Sequence, residues 1–466
     1  MADAYLNVVN SKLGHTLSRW FGLPQPVPLD RHQPGQPVVE GDVLMAATPD
    51  PELQATLVQA CQSMQLATLA HRSLPTWTAQ ANASGMLSGP WNLGDQPGGR
   101  IKALVLDATG LRTVAQSQAL HQCLNETVKS LLPCGRVLVL GRPPQSAPSV
   151  EQAAVQRALL GLVKSLAKEL RRGITAQLLA VAPGAEAQLE GCLRFLLSPR
   201  SAYVSGQCLT LEPVPQITPL DWHRPLAQQT LMVTGAARGI GAAIAATLAR
   251  DGARVLCVDV PQAETELQQV ADRIQGRALA LDITAPDAPA LIVQAAMSDG
   301  GWSGVVHNAG ITRDKTIGRM PAHLWQSLMQ VNLSAALHIN QALLDAQALR
   351  PAARLVAVSS ISGIAGNLGQ TNYAFSKAGV IGMVQAQAPH LPAGMTINAV
   401  APGFIETPMT ASIPWVIREA GRRMNAMGQG GQPVDVAEAI GWLASPAAQG
   451  IQGQVLRVCG MSWLGA

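Results

Sequence analysis

Aromatic residues make up only 3% of this 466-residue chain, and charged residues 13%, about half the usual charged share of roughly 25%. With 48% hydrophobic residues, that balance excludes an intrinsically disordered chain, which needs high charge and little to bury. Mean hydropathy is +0.17, yet no run of about 18 apolar residues occurs, so no membrane insertion is expected. There is no block of Lys or Arg behind the net charge of +4, which argues against a nucleic-acid partner. No CxxC or Cys/His cluster joins the seven cysteines, Cys61, Cys123, Cys134, Cys192, Cys208, Cys257 and Cys459. Their spacing supports neither a metal site nor a disulfide framework, and small buried thiols in a reducing cytoplasm are expected. The opening MADAYLNVVNSKLG has an early Asp and no apolar stretch, so no signal peptide is expected.

The length suits two or three domains. EPVPQITPLDWHR, Glu212–Arg224, carries three prolines and little periodicity, as a linker would. It divides the chain into residues 1–215 and 225–466. Leu23–Gly41, rich in Pro and Gly, leads into the first core element, a strand at Asp42–Ala46. In the second half, short apolar runs alternate with helical patterns. The runs are Leu231–Thr234, Arg254–Val258, Ala278–Leu281, Gly304–His307, Leu355–Val358, Thr396–Val400 and Val455–Val458. Helices are predicted from about Gly239 to Arg250 and from about Glu264 to Ile274. Such alternation implies a parallel sheet covered on both faces.

The halves repeat one another. LLSPRSAYVSGQCLTL, Leu196–Leu211, aligns without gaps with LASPAAQGIQGQVLRV, Leu443–Val458. VAPG recurs at Val181–Gly184 and Val400–Gly403, and ALVLDATG, Ala103–Gly110, parallels SGVVHNAG, Ser303–Gly310. QAAVQRALLG, Gln152–Gly161, falls on YAFSKAGVIG, Tyr373–Gly382. Four matches in one order imply two copies of one doubly wound fold.

The chemistry is concentrated in the second copy. TGAARGIG, Thr234–Gly241, follows a strand and opens a helix. Gly235 allows a tight turn, while Gly239 and Gly241, beside Arg238 and Ile240, let backbone approach a pyrophosphate at the helix N-terminus. Tyr373 and Lys377 stand four apart, on one helix face. A cation beside a phenol favours the phenolate, so the Tyr373 pKa is expected below its ordinary value near 10.

With SSISG, YAFSK and PGFIET in order, residues from Thr230 onward resemble the short-chain dehydrogenase/reductase family. HNAG at His307–Gly310 matches that family's Asn-Asn-Ala-Gly, with His in place of the first Asn. The resemblance implies a catalytic set of Asn332, Ser360, Tyr373 and Lys377. Ser360 would bond the substrate carbonyl oxygen, with Ser359 the competing choice; the spacing to Tyr373 favours Ser360. Lys377 would also bond the nicotinamide ribose, and Asn332 would hold a relay water. The resemblance places Asn308, Ala309 and Gly310 on the cofactor floor, Asp282 with Ile283 at the adenine, and Pro402, Gly403, Ile405 and Thr407 at the nicotinamide. A substrate lid is expected from Phe404 to about Gln432. Asp259, eighteen residues after Gly241, would accept from ribose hydroxyls and repel a 2′-phosphate, favouring NADH. Arg238 points the other way, toward NADPH.

In the first copy, Gln152 and Gln156 replace Tyr373 and Lys377, and Ser360 falls near Arg142. ATPDPELQ stands where a glycine loop would be, so no dinucleotide binding or catalysis is expected there. The whole chain is similar to the high-molecular-weight bacterial 3-oxoacyl-ACP reductases, whose first domain is flavodoxin-like. That likeness implies two α/β, Rossmann-like domains, the first degenerate. It also implies a cytoplasmic homodimer in fatty-acid metabolism, reducing 3-oxoacyl-ACP or 3-oxoacyl-CoA to 3-hydroxyacyl thioesters. Two alternatives are another alcohol or sugar dehydrogenase working oxidatively and a non-catalytic NAD-responsive binding protein. The shorter relatives carry two arginines that grip acyl carrier protein. Here the places read RPAAR, Arg350–Arg354, and LPAGM, Leu391–Met395, so one is shifted and one absent. Acyl-CoA is therefore a fair substrate.

Overall fold

The computed structural model describes residues 3–11, 14, 16, 18, 20, 25–92, 100–411 and 414–464. The chain forms two compact units. The first comprises Ala2–Pro213 with Arg422–Gly430; the second comprises Val214–Gly421 with Gly431–Ala466.

The first unit carries a parallel sheet, seven-stranded among the described residues. Its strands are β1 (Val43–Ala47), β2 (Thr68–Ala70), β3 (Ser88–Pro90), β4 (Ile101–Asp107), β5 (Leu131–Gly141), β6 (Thr175–Val181) and β7 (Gln207–Leu211). They run in the order β3-β2-β1-β4-β5-β6-β7. The second sheet has β8 (Thr230–Thr234), β9 (Arg254–Asp259), β10 (Arg277–Ala280), β11 (Trp302–His307), β12 (Leu349–Val358), β13 (Thr396–Pro402) and β14 (Val455–Val458). Its order, β10-β9-β8-β11-β12-β13-β14, is the same position by position. Both are doubly wound. The order reverses between the first and fourth strand of each set, the crevice where open α/β sheets take ligands.

Every residue of β8 and of β13 is buried, as a sheet covered on both faces requires. Met232, Leu256, Val305, Leu355 and Ile397 meet Ile292, Ile339 and Val384 from the helices in one core. Each such side chain contributes about 1.5–3 kcal/mol when fully buried.

The repeated motifs occupy equivalent places. ALVLDATG and SGVVHNAG form the ends of β4 and β11. The Gln152 and Tyr373 segments lie in helices α1 (Val150–Glu169) and α4 (Thr371–Gln387). The remaining helices named below are α2 (Gly239–Arg250), α3 (Ala335–Asp345) and α5 (Trp415–Arg423). The recurrent Ser-Pro pairs open short turns in which Ser198 and Ser445 accept from the backbone N–H two residues on. Serine at the cap and proline in the first turn is the preferred chemistry there.

β12 begins six residues before the expected Leu355, and β11 two before Gly304. The register between them shifts after Trp302. Half-exposed or exposed Arg350, Pro351 and Ala352 hide the early part of β12 from an apolar-run reading. All seven cysteines are free thiols, and only Cys208 is not fully buried. Burial pushes Cys61, Cys123, Cys192 and Cys257 up to about 12. Among the described residues, no helix is long and apolar enough to cross a membrane.

Candidate active site

The glycine loop joins β8 to α2. Gly235 and Gly239 have φ of +67° and +58°, which side chains other than glycine's adopt at a cost. A Cβ on Gly235 would lie 2.8 Å from Ala309 Cα, and one on Gly241 would lie 1.9 Å from the Gly235 carbonyl oxygen. Thr234 Oγ1 accepts from the N–H groups of Asn308 and Ala309, both at 3.1 Å. Asn308 Nδ2 donates back to the Thr234 and Gly235 carbonyls at 3.0 and 3.1 Å. Loop and β11 end are thus knitted together. A Cβ on Gly239 would meet nothing nearer than Thr407 Cγ2 at 4.0 Å, so this glycine faces open space.

That space is a cavity of about 400 Å³. Gly235, Arg238, Gly239, Ile240, Gly241, Asp259, Asp282, Ile283, Asn308, Ala309, Gly310, Pro402, Gly403, Ile405 and Thr407 all line it. So do Ser360, Tyr373 and Lys377. Asn332 lines an adjoining space of about 10 Å³, shared with Lys377 and His307, with room for about one water. Sequence reasoning did not single out Val260, Leu281, Ile311 and Val331, which also line the cavity. Val260 and Leu281 carried a signal, as neighbours of the two acidic positions.

Lys377 is buried on α4, and its Nζ donates to the Val358 carbonyl at 2.8 Å. Burial lowers its pKa to about 8. The expected lowering of Tyr373 does not occur. Burial raises the phenol above its ordinary value, outweighing the opposing hydrogen bond of Ser360. Lys377 Nζ is turned to a carbonyl and stands 5.8 Å from the Tyr373 ring centre. Ser360 Oγ accepts from the Ser362 N–H, while Ser359 Oγ donates to the Lys377 carbonyl at 2.7 Å. Adjacent serines are thus committed to different partners.

Asn332 sits in a five-residue π turn, Gln330–Ser334. Its Nδ2 donates to the Ile311 carbonyl and Ser376 Oγ, and its Oδ1 accepts from the Ile311 N–H at 2.8 Å. This crosses between elements, unlike the local bonding of an ordinary helix-interior asparagine. His307 pairs through Nε2 with Asn340 Oδ1 at 2.7 Å, on α3. Burial pulls its pKa down to about 4, so the ring is neutral.

Asp259 ends β9 and accepts from the Ala237 and Val260 N–H groups, each at 2.9 Å. It is held against the glycine loop, whereas Arg238 is exposed. Asp282 accepts from the N–H and hydroxyl of Thr284, so it is a turn residue and a cavity residue at once. The glycine-lined cradle, the acids at two strand ends and the open space at Gly239 fit a dinucleotide.

Of the expected lid, residues 412 and 413 lie outside the described residues, as do 21–24 of the opening stretch. The lid's helical parts are a short turn, Pro408–Ala411, and α5. Met409, Trp415, Val416 and Ile417 expose more than half their surface. Arg354 is buried on β12 and donates to the Gly394 carbonyl at 2.6 Å.

In the first unit, Gln156 occupies the Lys377 position and is spent on structure: Nε2 donates to the Ala108 and Leu111 carbonyls and Oε1 accepts from the Arg142 N–H. The loop after β1 is tied down by Asp107, which accepts from the Leu53 N–H at 3.0 Å. Arg142 is paired with Glu52 and Glu186 at 2.9 and 2.8 Å. A Cβ on Gly110 would lie 2.0 Å from the Asp50 carbonyl oxygen.

A family model described as enoyl-(acyl carrier protein) reductase matches residues 235–461. The 3-oxoacyl-[acyl-carrier-protein] reductase FabG of Vibrio cholerae is 38% identical over 239 residues, 50% of this chain and 97% of that protein. That of Thermotoga maritima is 38% identical over 240 residues, 50% and 98% of the two chains. That of Escherichia coli is 36% identical over 233 residues, 49% and 95%.

Proposed function

Because the chain belongs to the short-chain dehydrogenase/reductase family and is an NAD(P)H-dependent oxidoreductase, we propose that it reduces 3-oxoacyl thioesters to 3-hydroxyacyl thioesters. The observation that carries this reading is the placement of Ser360, Tyr373 and Lys377 in the cavity that also holds the glycine loop and Asp259. The names of the relatives support the substrate class. A bound nicotinamide supplies the hydride. The glycine loop and the N-terminus of α2 hold the pyrophosphate, Asp259 the ribose hydroxyls and Asp282 the adenine side. Pro402, Gly403, Ile405 and Thr407 hold the nicotinamide end, over the floor made by Asn308, Ala309 and Gly310.

Ser360 and Tyr373 bond the substrate oxygen as charge develops on it. A phenol raised by burial keeps its proton at neutral pH, so Tyr373 is the donor. Lys377 lends its positive charge, and Asn332 with the water-sized space beside it returns the proton. The half-buried carboxylate of Asp259, fixed by two N–H donors, supports NADH over NADPH. Exposed Met409, Trp415, Val416 and Ile417 suit an acyl chain. Arg354, buried, is poorly placed to hold an acidic carrier protein, which supports acyl-CoA beside acyl-ACP. The first unit, its crevice closed by its own loop, takes no dinucleotide in this reading, and residues 1–215 and 225–466 act as inert and catalytic domains of a cytoplasmic homodimer. The test is NADH oxidation with acetoacetyl-CoA. Turnover of the thioester supports the assignment; turnover of simple alcohols or sugars alone would replace it with an oxidative dehydrogenase.

A further inference from the structure

We propose that the first unit grips Arg422–Gly430, the later part of the expected substrate lid, through Asp3, Tyr203 and the Val27 carbonyl, and thereby sets how firmly the earlier part is held for a thioester. The inference rests on the reading of Pro408–Gly421 as the substrate side of the cavity. Its basis is the course of the chain: after Gly421 the polypeptide joins the first unit for Arg422–Gly430 and returns at Gly431.

Within the first unit that segment is held by several unlike contacts. Arg423 makes a two-pronged pair with Asp3, at 2.6 and 2.8 Å, and donates to the Gly428 carbonyl at 2.9 Å. Its guanidinium lies 4.6 Å from the centre of the Tyr5 ring. Asp3 caps the helix Ala4–Val9 by accepting from the Leu6 N–H. Gln429 is 3% exposed; its Nε2 donates to the Val27 carbonyl at 2.7 Å and its carbonyl accepts from Tyr203 Oη at 2.8 Å. Tyr203 is itself fully buried. Asn425 Nδ2 donates to the Arg422 and Gln429 carbonyls, closing the segment on itself. A planar fork on a carboxylate fixes orientation as well as distance, and a buried phenol without its acceptor would be left unsatisfied.

Both ends of the gripped segment lead back to one place in the second unit. A Cβ on Gly421 would lie 2.6 Å from Phe404 Cδ2, so the last turn of α5 passes close against that ring. Gly431 donates to the Phe404 carbonyl and accepts from the Glu406 N–H, at 3.0 and 2.8 Å. Phe404–Glu406 runs directly into Thr407, Met409 and Thr410 of the cavity wall. The stretch from Pro408 to Gly421 therefore lies between two held points, and loosening the later one frees it while the glycine loop, Asp259 and Asp282 stay in place.

The experiment uses the full chain, with Asp3→Asn and, independently, Tyr203→Phe. Hydrogen–deuterium exchange of Pro408–Gly421, KM for acetoacetyl-CoA and NADH affinity are measured for each. Exchange confined to that stretch rises several-fold, KM rises several-fold and NADH affinity holds. Reversing the pair, Asp3→Arg with Arg423→Asp, restores slow exchange. Unchanged exchange in both variants, or acceleration spread over the whole chain, overturns the proposal. Accelerated local exchange in a protein that does not reduce acetoacetyl-CoA leaves the grip standing and removes the substrate assignment instead.

Discussion

Tyr373 shows how a residue can be read correctly for position and wrongly for state. Its place and its partner four residues on were legible; its pKa was not, because desolvation depends on everything packed around the phenol. A neutral phenol suits reduction, since the proton to be given is already there. Tyr373→Phe should lower acetoacetyl-CoA reduction by about 10²–10⁴-fold with NADH affinity unchanged, and a pair of steady-state and fluorescence titrations checks both halves. Lys377, lowered to about 8 by burial, loses its charge as pH rises through that value. With the phenol still protonated there, kcat/KM for reduction should fall above about pH 8; a limb first appearing near the ordinary lysine value would remove Lys377 from the mechanism. Asp259 was readable from its spacing after the glycines, and Asp259→Ser should raise NADPH use by lifting the repulsion of a 2′-phosphate. Equal kcat/KM for both cofactors before and after would show that this carboxylate does not choose between them.

At the scale of elements, the glycine loop is the part most nearly dictated by sequence. The tight turn expected at Gly235 is there, and both Gly235 and Gly239 have positive φ. What the pattern did not reveal is that Gly241 is required by the Gly235 carbonyl rather than by open space for phosphate. Gly241→Ala would force backbone atoms apart, at about 1–3 kcal/mol for overpacking a tight site. The expected outcome is lost NADH binding with a lowered thermal midpoint; wild-type NADH affinity would mean that the loop can shift. The π turn at Gln330–Ser334 had no sequence cue, because the extra residue is accommodated through contacts with Ile311 and Ser376. The early residues of β12 were missed for a similar reason: exposed Pro351 and Ala352 are strand by pairing, not by hydrophobicity.

For the whole molecule, the repeat in sequence became two sheets of one strand order. The crevice of the first is occupied by its own ion pairs and loop, so the full chain should bind one NADH per polypeptide in calorimetry. A second site of micromolar affinity would contradict that. The sequence alone determined the two-copy doubly wound fold and the glycine cradle, because these depend on short-range spacing and on alternating apolar runs, while likeness to a known family pointed to Ser360, Tyr373 and Lys377. Tertiary structure alone decided the protonation of Tyr373 and Lys377, the diversion of Ser359 to a backbone carbonyl, and the membership of Arg422–Gly430 in the first unit. Those outcomes depend on burial and on partners hundreds of residues away, such as Asp3 for Arg423, and no local pattern encodes such a distance.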